Sequence, residues 1–202
     1  MTLPALSQTT LLDAVNSILA VVGESPINTL TGPLTHDVAL AMNTLTEASK
    51  EIQAEGWVCN TEHNYPLTPD TSGEIRTPGN IARVSLPQTR PALSVTLRGT
   101  RLYNLTEHSY HFNQPVIVTA VFLLDFDELT ESLRRYIVIK AGRMFLDRAV
   151  GSPQLHQFSA DDEFRARVAA REEDTHMGRW NIQKDEQCDF LSGWAVADAL
   201  RR

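Results

Sequence analysis

Apolar residues along this chain fall into two rhythms, and the change between them divides it. The longest helical rhythm runs from Phe126 to Gly151. Leu129, Leu133, Tyr136, Ile137, Ala141, Met144, Phe145 and Ala149 recur at three- and four-residue steps and share one helix face. Asp125, Asp127, Glu128 and Glu131 crowd its start, where acids suit the positive end of the helix dipole. Asp125 and Glu128 have the spacing of a capping box, and Thr130 is an equally good opening residue. Arg134, Arg135, Lys140, Arg143 and Arg148 are expected on the other faces, and Gly151 is expected to end the helix. Ser152-Pro153 then opens a further helix to about Met177.

The same period predicts two earlier helices. Leu11, Leu12, Val15, Ile18, Leu19 and Val22 form a stripe from Ser7 to Val22, with Ser7, Thr9 or Thr10 able to cap it and Gly23 to stop it. A second helix opens at Thr35 or Asp37, buries Val38, Met42, Leu45, Ala48 or Ser49, and Ile52, and ends at Gly56. From Trp57 the rhythm shortens. Trp57–Pro66 reads as extended, and the proline-rich stretch Pro66–Pro91 resists a helix. Ala92–Leu97 and Arg101–Asn104 read as a hairpin about Arg98-Gly99-Thr100, and Val116–Leu124 as a well-buried strand. Regular patterning stops after Gly178. The expected fold is α+β: an antiparallel helical bundle from residues 1–62 and 125–178, an inserted β-rich region at 63–124, and an extended C-terminal tail at 179–202.

Charge adds a second division. The first 49 residues carry acids and no Lys or Arg, whereas Arg76, Arg83, Arg90, Arg98 and Arg101 stand in a stretch without an acid. The two regions are opposite in sign; the arginines suit bidentate and stacked contacts across interfaces, and also fit a plain solvated surface. A net charge of -7 argues against general coating of nucleic acid. Cys59 and Cys188 make no disulfide framework and no CxxC pair. No basic residue precedes Lys50, so a secretory n-region is not expected, and the apolar run Val116–Leu124 is too short to span a bilayer as a helix.

The search for chemistry finds little. GxGxxG, P-loop, HExxH and GxSxG patterns are missing. His108 and His111, three apart and without a nearby acid or cysteine, are a weak metal signal. Asp125, Asp127, Glu128 and Glu131 offer paired carboxylates of the kind glycoside hydrolysis needs, but helix capping explains them better, as it does Asp161, Asp162 and Glu163. Trp57, Tyr65, Tyr103, Tyr110 and Phe112 suit a stacking surface near the arginines, or a core. The tail carries Trp180, Phe190, Leu191 and Trp194, aromatic and aliphatic anchors of the kind interfaces use. No catalytic, metal or cofactor residue is assigned.

Resemblance carries the reading further. The run Ala14-Val15-Asn16-Ser17-Ile18-Leu19-Ala20-Val21-Val22-Gly23-Glu24-Ser25-Pro26-Ile27-Asn28-Thr29-Leu30 resembles the opening of the tail tubular protein A family of short-tailed bacteriophages. Gln53-Ala54-Glu55-Gly56-Trp57-Val58-Cys59-Asn60, Asp125-Phe126-Asp127-Glu128-Leu129 and Arg134-Arg135-Tyr136-Ile137-Val138-Ile139-Lys140-Ala141 follow in the family's order, then Phe145 and Gly151-Ser152-Pro153. Val58 stands where the resemblance leads one to expect an aromatic. The likeness covers about Leu12 to Arg171, with nothing to test between Pro66 and Pro91. It implies a non-enzymatic virion protein of the tail, a head-to-tail adaptor. Such adaptors form a homo-oligomeric ring, usually of twelve subunits, between the portal and the tail nozzle (tail tubular protein B), and viral DNA leaves the capsid through it without sequence-specific binding. Assembly in the host cytoplasm, no cofactor and no membrane go with that picture. Two other classes remain open on the residues: a tail-associated polysaccharide hydrolase using a carboxylate pair, and a DNA-binding module using Arg76–Arg101.

Overall fold

The computed structural model describes residues 7–86, 93–149 and 153–178. Helix α1 spans Leu11–Val21. Of the three possible caps, Thr10 is used because it alone has an acid three residues on. The Thr10 hydroxyl accepts from the Asp13 N–H at 3.2 Å, and the Asp13 carboxylate accepts from the Thr10 N–H at 3.0 Å. At the far end the N–H groups of Glu24 and Gly23 reach back to the carbonyls of Leu19 and Ala20, a Schellman closure. Helix α2, His36–Ala54, follows Thr35.

The third helical stretch is not the single element its pattern suggests. A short 3-10 turn at Phe126–Glu128 comes first, and Asp125 makes no side-chain capping bond. Leu129 is then extended (φ -80°, ψ 159°) and drops into the core. Helix α3 begins only at Glu131 and runs to Ala149, with the Arg134 N–H closing on the Thr130 carbonyl. Burying Leu129 thus interrupts the helix that the acids would otherwise start. The expected stop at Gly151 lies outside the described residues. Helix α4 spans Pro153–Gly178.

Five strands lie between the helical halves: β1 Thr61–Leu67, β2 Ile81–Ser85, β3 Val95–Arg98, β4 Arg101–Asn104 and β5 Val116–Phe122. The apolar β5 is the central strand of an antiparallel sheet ordered β1-β5-β2. β3 and β4 form the expected hairpin, pairing Arg98 with Arg101 across Gly99-Thr100, and Gly99 takes the positive φ of 63° that a two-residue turn demands. The strand missed by pattern is β2, an edge strand of five residues whose burial does not alternate cleanly.

Two apolar cores result. One joins α1, α2, α3 and α4 around Ile18, Leu45, Ile52, Leu133, Ile137 and Phe145; the other lies over the sheet around Leu67, Ile75, Leu102, Phe112 and Val118. Two buried amides connect them. The Gln53 side chain accepts from the Leu124 N–H at 2.7 Å and donates to the Leu124 carbonyl at 3.0 Å, so α2 holds the exit of β5. Asn60 donates to the carbonyls of Gln53 (2.9 Å) and Phe122 (2.7 Å) and accepts from the Trp57 N–H (2.8 Å). Trp57 packs beside Tyr136 at the same junction, its indole N–H donating to the Ile52 carbonyl at 2.7 Å. Gly56 turns the chain there at φ 82°; a Cβ on it would lie 2.8 Å from the Arg83 guanidinium.

Candidate interaction surfaces

The five arginines of the acid-free stretch do not act as one patch. Arg76, Arg98 and Arg101 gather at the hairpin. Arg101 pairs with Glu74 at 3.1 Å and lies over Tyr110 at 4.3 Å; Arg76 pairs with the same Glu74 at 3.3 Å. Arg98 stacks 3.5 Å above Tyr103, which meets Tyr110 edge-on at 4.8 Å. The result is an Arg–Tyr–Tyr–Arg stack whose charge is partly neutralised by Glu74. Nearby, the Ser72 hydroxyl bond holds the Asp70 carboxyl below its ordinary range. Arg83 stands apart, donating to the Glu55 carbonyl at 3.3 Å where α2 ends. Of the aromatics considered with them, Trp57 and Phe112 are in the two cores and Tyr65 packs on Phe122 at 5.4 Å. Arg90, and the tail residues Trp180, Phe190, Leu191 and Trp194, lie outside the described residues.

The acids of the N-terminal half also have partners within the chain. Glu47, Glu51 and Glu55 follow at four-residue steps and so form one ridge on α2. Arg148 meets Glu47 at 2.8 Å, Lys140 meets Glu51 at 2.8 Å, and Arg171 and Arg167 meet Glu55 at 2.5 and 3.4 Å. α3 and α4, rather than the hairpin arginines, neutralise this ridge. Arg143–Glu163 and Ser132–Glu173 contacts stitch α3 to α4 in antiparallel order, and Arg171 also lies 3.9 Å over the Trp57 ring.

Two cations expected on outer faces are in fact buried. At about 100° per residue, Lys140 lies between Tyr136 and Leu133 on the core face of α3, and Arg134 lies at its edge beside Ala141 and Phe145. Arg134 is 3% exposed. It donates to the carbonyls of Leu129 (2.8 Å), Thr9 (2.7 Å) and Asp127, and to the Gln8 side chain (3.2 Å). One guanidinium therefore ties the segment before α1, the 3-10 turn and the start of α3. Glu131 completes the tie by accepting from the Thr9 N–H at 2.9 Å and hydroxyl at 2.5 Å. Its motif Arg134-Arg135-Tyr136 was legible; its inward role was not, because a charged residue at the edge of a helical stripe normally points to water.

Apolar residues also reach the surface among the described residues. A groove of about 750 Å³ lies between α1, α3 and α4, with Val21, Val138, Ile139, Leu146 and Ala166 among its lining, together with Arg135, Arg143, Asp162 and Arg165. On α4 itself Phe164 is 68% exposed and Val168 41%. Neither feature was marked by sequence, because Phe164 is an isolated apolar residue among charges and groove shape has no linear signature.

The candidate acids and histidines have separate structural settings among the described residues. Asp125, Asp127 and Glu128 are exposed about the 3-10 turn, and Glu131 is engaged by Thr9. His108 occupies a left-handed turn at φ 53°, and the His111 N–H donates to the Ser109 hydroxyl. Among the described residues no group of three or more His, Cys, Asp or Glu is placed to hold a metal ion, and no helix is long and apolar enough to cross a membrane.

No curated protein matches the chain. The family model for tail tubular protein matches residues 12–180, from the second residue of α1 past the end of α4 and through every strand between. An α+β chain of two joined cores, with its exposed features suited to contact, matched over that length, belongs to the tail tubular protein family of short-tailed bacteriophages, structural components of the virion tail.

Proposed function

We propose that this chain is a head-to-tail adaptor, one of about twelve equivalent subunits forming a ring between the portal and the tail nozzle protein, through which viral DNA is ejected. The observation that carries this reading is the family match across both halves of the chain, 12–180, which includes the β insertion as well as the bundle. The charge distribution supports a conduit. A wall of unpaired cations would bind phosphates and hold the strand. Here the net charge is -7, and Arg76, Arg101, Arg143, Arg148, Arg167 and Arg171 each face carboxylates of the same chain.

The test is negative-stain imaging and sedimentation of the full chain, alone and with its portal. The chain alone is expected to be monomeric or weakly associated, and a ring should form on the portal. A stable ring of the isolated chain at micromolar concentration would remove the templating by portal. Failure to bind either portal or nozzle would remove the adaptor role. Sugar release abolished by Asp125→Ala and Asp127→Ala, or duplex binding with a steep salt dependence, would replace it.

A further inference from the structure

We propose that the outer face of α4 in one copy, headed by Phe164 and Val168, seats in the α1–α3–α4 groove of a second copy, in a one-directional contact that repeats from subunit to subunit. This rests on the ring reading above and assigns its side-by-side interface.

The first observation is that α3 is apolar on both sides. Leu133, Tyr136, Ile137, Ala141 and Phe145 face the core, while Val138, Ile139, Gly142 and Leu146 lie on the opposite arc and line the groove. Val138, Ile139 and Leu146 on this second arc, with Arg135 among them, form a strip that a partner could cover. α1, α2 and α4 cover the core arc, but over the second arc they leave the space of about 750 Å³. A second copy supplies the missing cover.

The second observation is where the knob stands. Asp162, Arg165, Ala166 and Ala169 of α4 border the groove, whereas Phe164, Val168, Arg171 and Thr175 make its outer face. The two sets are centred roughly 140° apart around the helix axis. One copy therefore offers exposed Phe164 and Val168, among polar residues, on one flank and a receiving groove on the other. Such a pair is heterologous, and copies add in one direction. Both features lie within overlapping turns of α4.

Charge fixes the pairing. Glu172 flanks the outer face and makes no ion pair among the described residues; Arg135, in the groove lining, makes none either. Arg167 and Arg171 of the outer face pair with Glu55, so seating Phe164 brings the unpaired acid Glu172 toward the unpaired Arg135. A two-fold contact of outer faces would instead set Glu172 against Glu172.

The test uses the full chain with Cys59→Ser and Cys188→Ser, assembled on portal and then oxidised. Phe164→Cys with Ala169→Cys in one chain should give a ladder of crosslinked products beyond the dimer, and each single variant should give monomer. Efficient dimers from Phe164→Cys alone would overturn the proposal in favour of a two-fold contact. Rings visible by microscopy that yield no ladder would overturn it outright. With Cys188 retained, an intrachain disulfide to Ala169→Cys would mean that the chain's own C-terminal segment fills the groove, which also overturns it. Because Phe164 is exposed, Phe164→Asp should leave circular dichroism and melting unchanged while reducing portal-bound rings at least about tenfold. Native-like ring yield from Phe164→Asp would refute this interface and leave the adaptor reading standing; no ring from the native chain on portal would refute both.

Discussion

Arg134 is the residue on which local order most depends. Three of its acceptors are main-chain carbonyls, Thr9 before α1 and Asp127 and Leu129 at the 3-10 turn, and an unsatisfied buried polar group costs about 1–3 kcal/mol. Arg134→Met should therefore lower stability by at least about 3 kcal/mol in urea unfolding. Arg134→Lys should recover little, because an ammonium is a compact donor and cannot span a fork of carbonyls. The neighbouring Glu131 adds a pH dependence. Burial pushes its carboxyl upward, but the two Thr9 bonds and the charges of Arg134 and Arg135 outweigh it, so the folded value lies below the ordinary one. Asp13 is lowered as well, chiefly by the Thr10 hydroxyl bond. A carboxylate depressed in the fold contributes stability that is complete above its unfolded pKa of about 4 and is lost as pH falls through the folded value. Stability should thus decline below about pH 4, and Glu131→Gln should flatten that decline in acid titration followed by circular dichroism. These ties were not legible in the sequence. The carbonyls that draw Arg134 inward come from Thr9 and Asp127, and no periodicity announces a main-chain acceptor.

Between elements, the junction around Gln53, Trp57 and Asn60 decides whether bundle and sheet hold a fixed relation. The sequence pattern placed Trp57 after the Gly56 stop, where the rhythm changes, and the structure buries it there with 2% exposure. Trp57→Ala should cost about 3–5 kcal/mol, read as a fall in melting temperature; an unchanged melting temperature would contradict the burial. Gln53→Leu keeps the side chain's bulk but orphans the N–H and carbonyl of Leu124, so a loss of about 2–3 kcal/mol is expected in spite of the added apolar surface. The helices and the hairpin could be read in advance because their signals are local: a stripe at three and four, a glycine stop, a Gly99 at a tight turn. The interruption at Leu129 and the strand β2 could not. Leu129 leaves its helix to enter a core assembled from α1, α2 and α4, and β2 exists because β5 offers it an edge. Tertiary context determined both.

On the scale of the molecule, residues from α1 through Ala170 of α4 supply the helical core, and residues from Leu67 to Ala120 supply the sheet core. Residues 179–202 lie outside the described residues. That segment carries Trp180, Phe190, Leu191, Trp194, Val196 and Leu200, a heavy apolar load for 24 residues. Ordering it costs conformational entropy, about 1–2 kcal/mol per residue for the backbone alone, and anchoring aromatics in a partner's pockets is a way to offset that cost on docking. Deletion of 179–202 should therefore leave helix content and melting temperature close to those of the full chain, while weakening co-sedimentation with portal or nozzle. The two halves of the result separate the possibilities. A truncated chain that unfolds would make the segment part of the subunit's own core. A truncated chain that docks as well as the native one would leave attachment to the described surfaces alone, the hairpin arginines and the α4 flank among them.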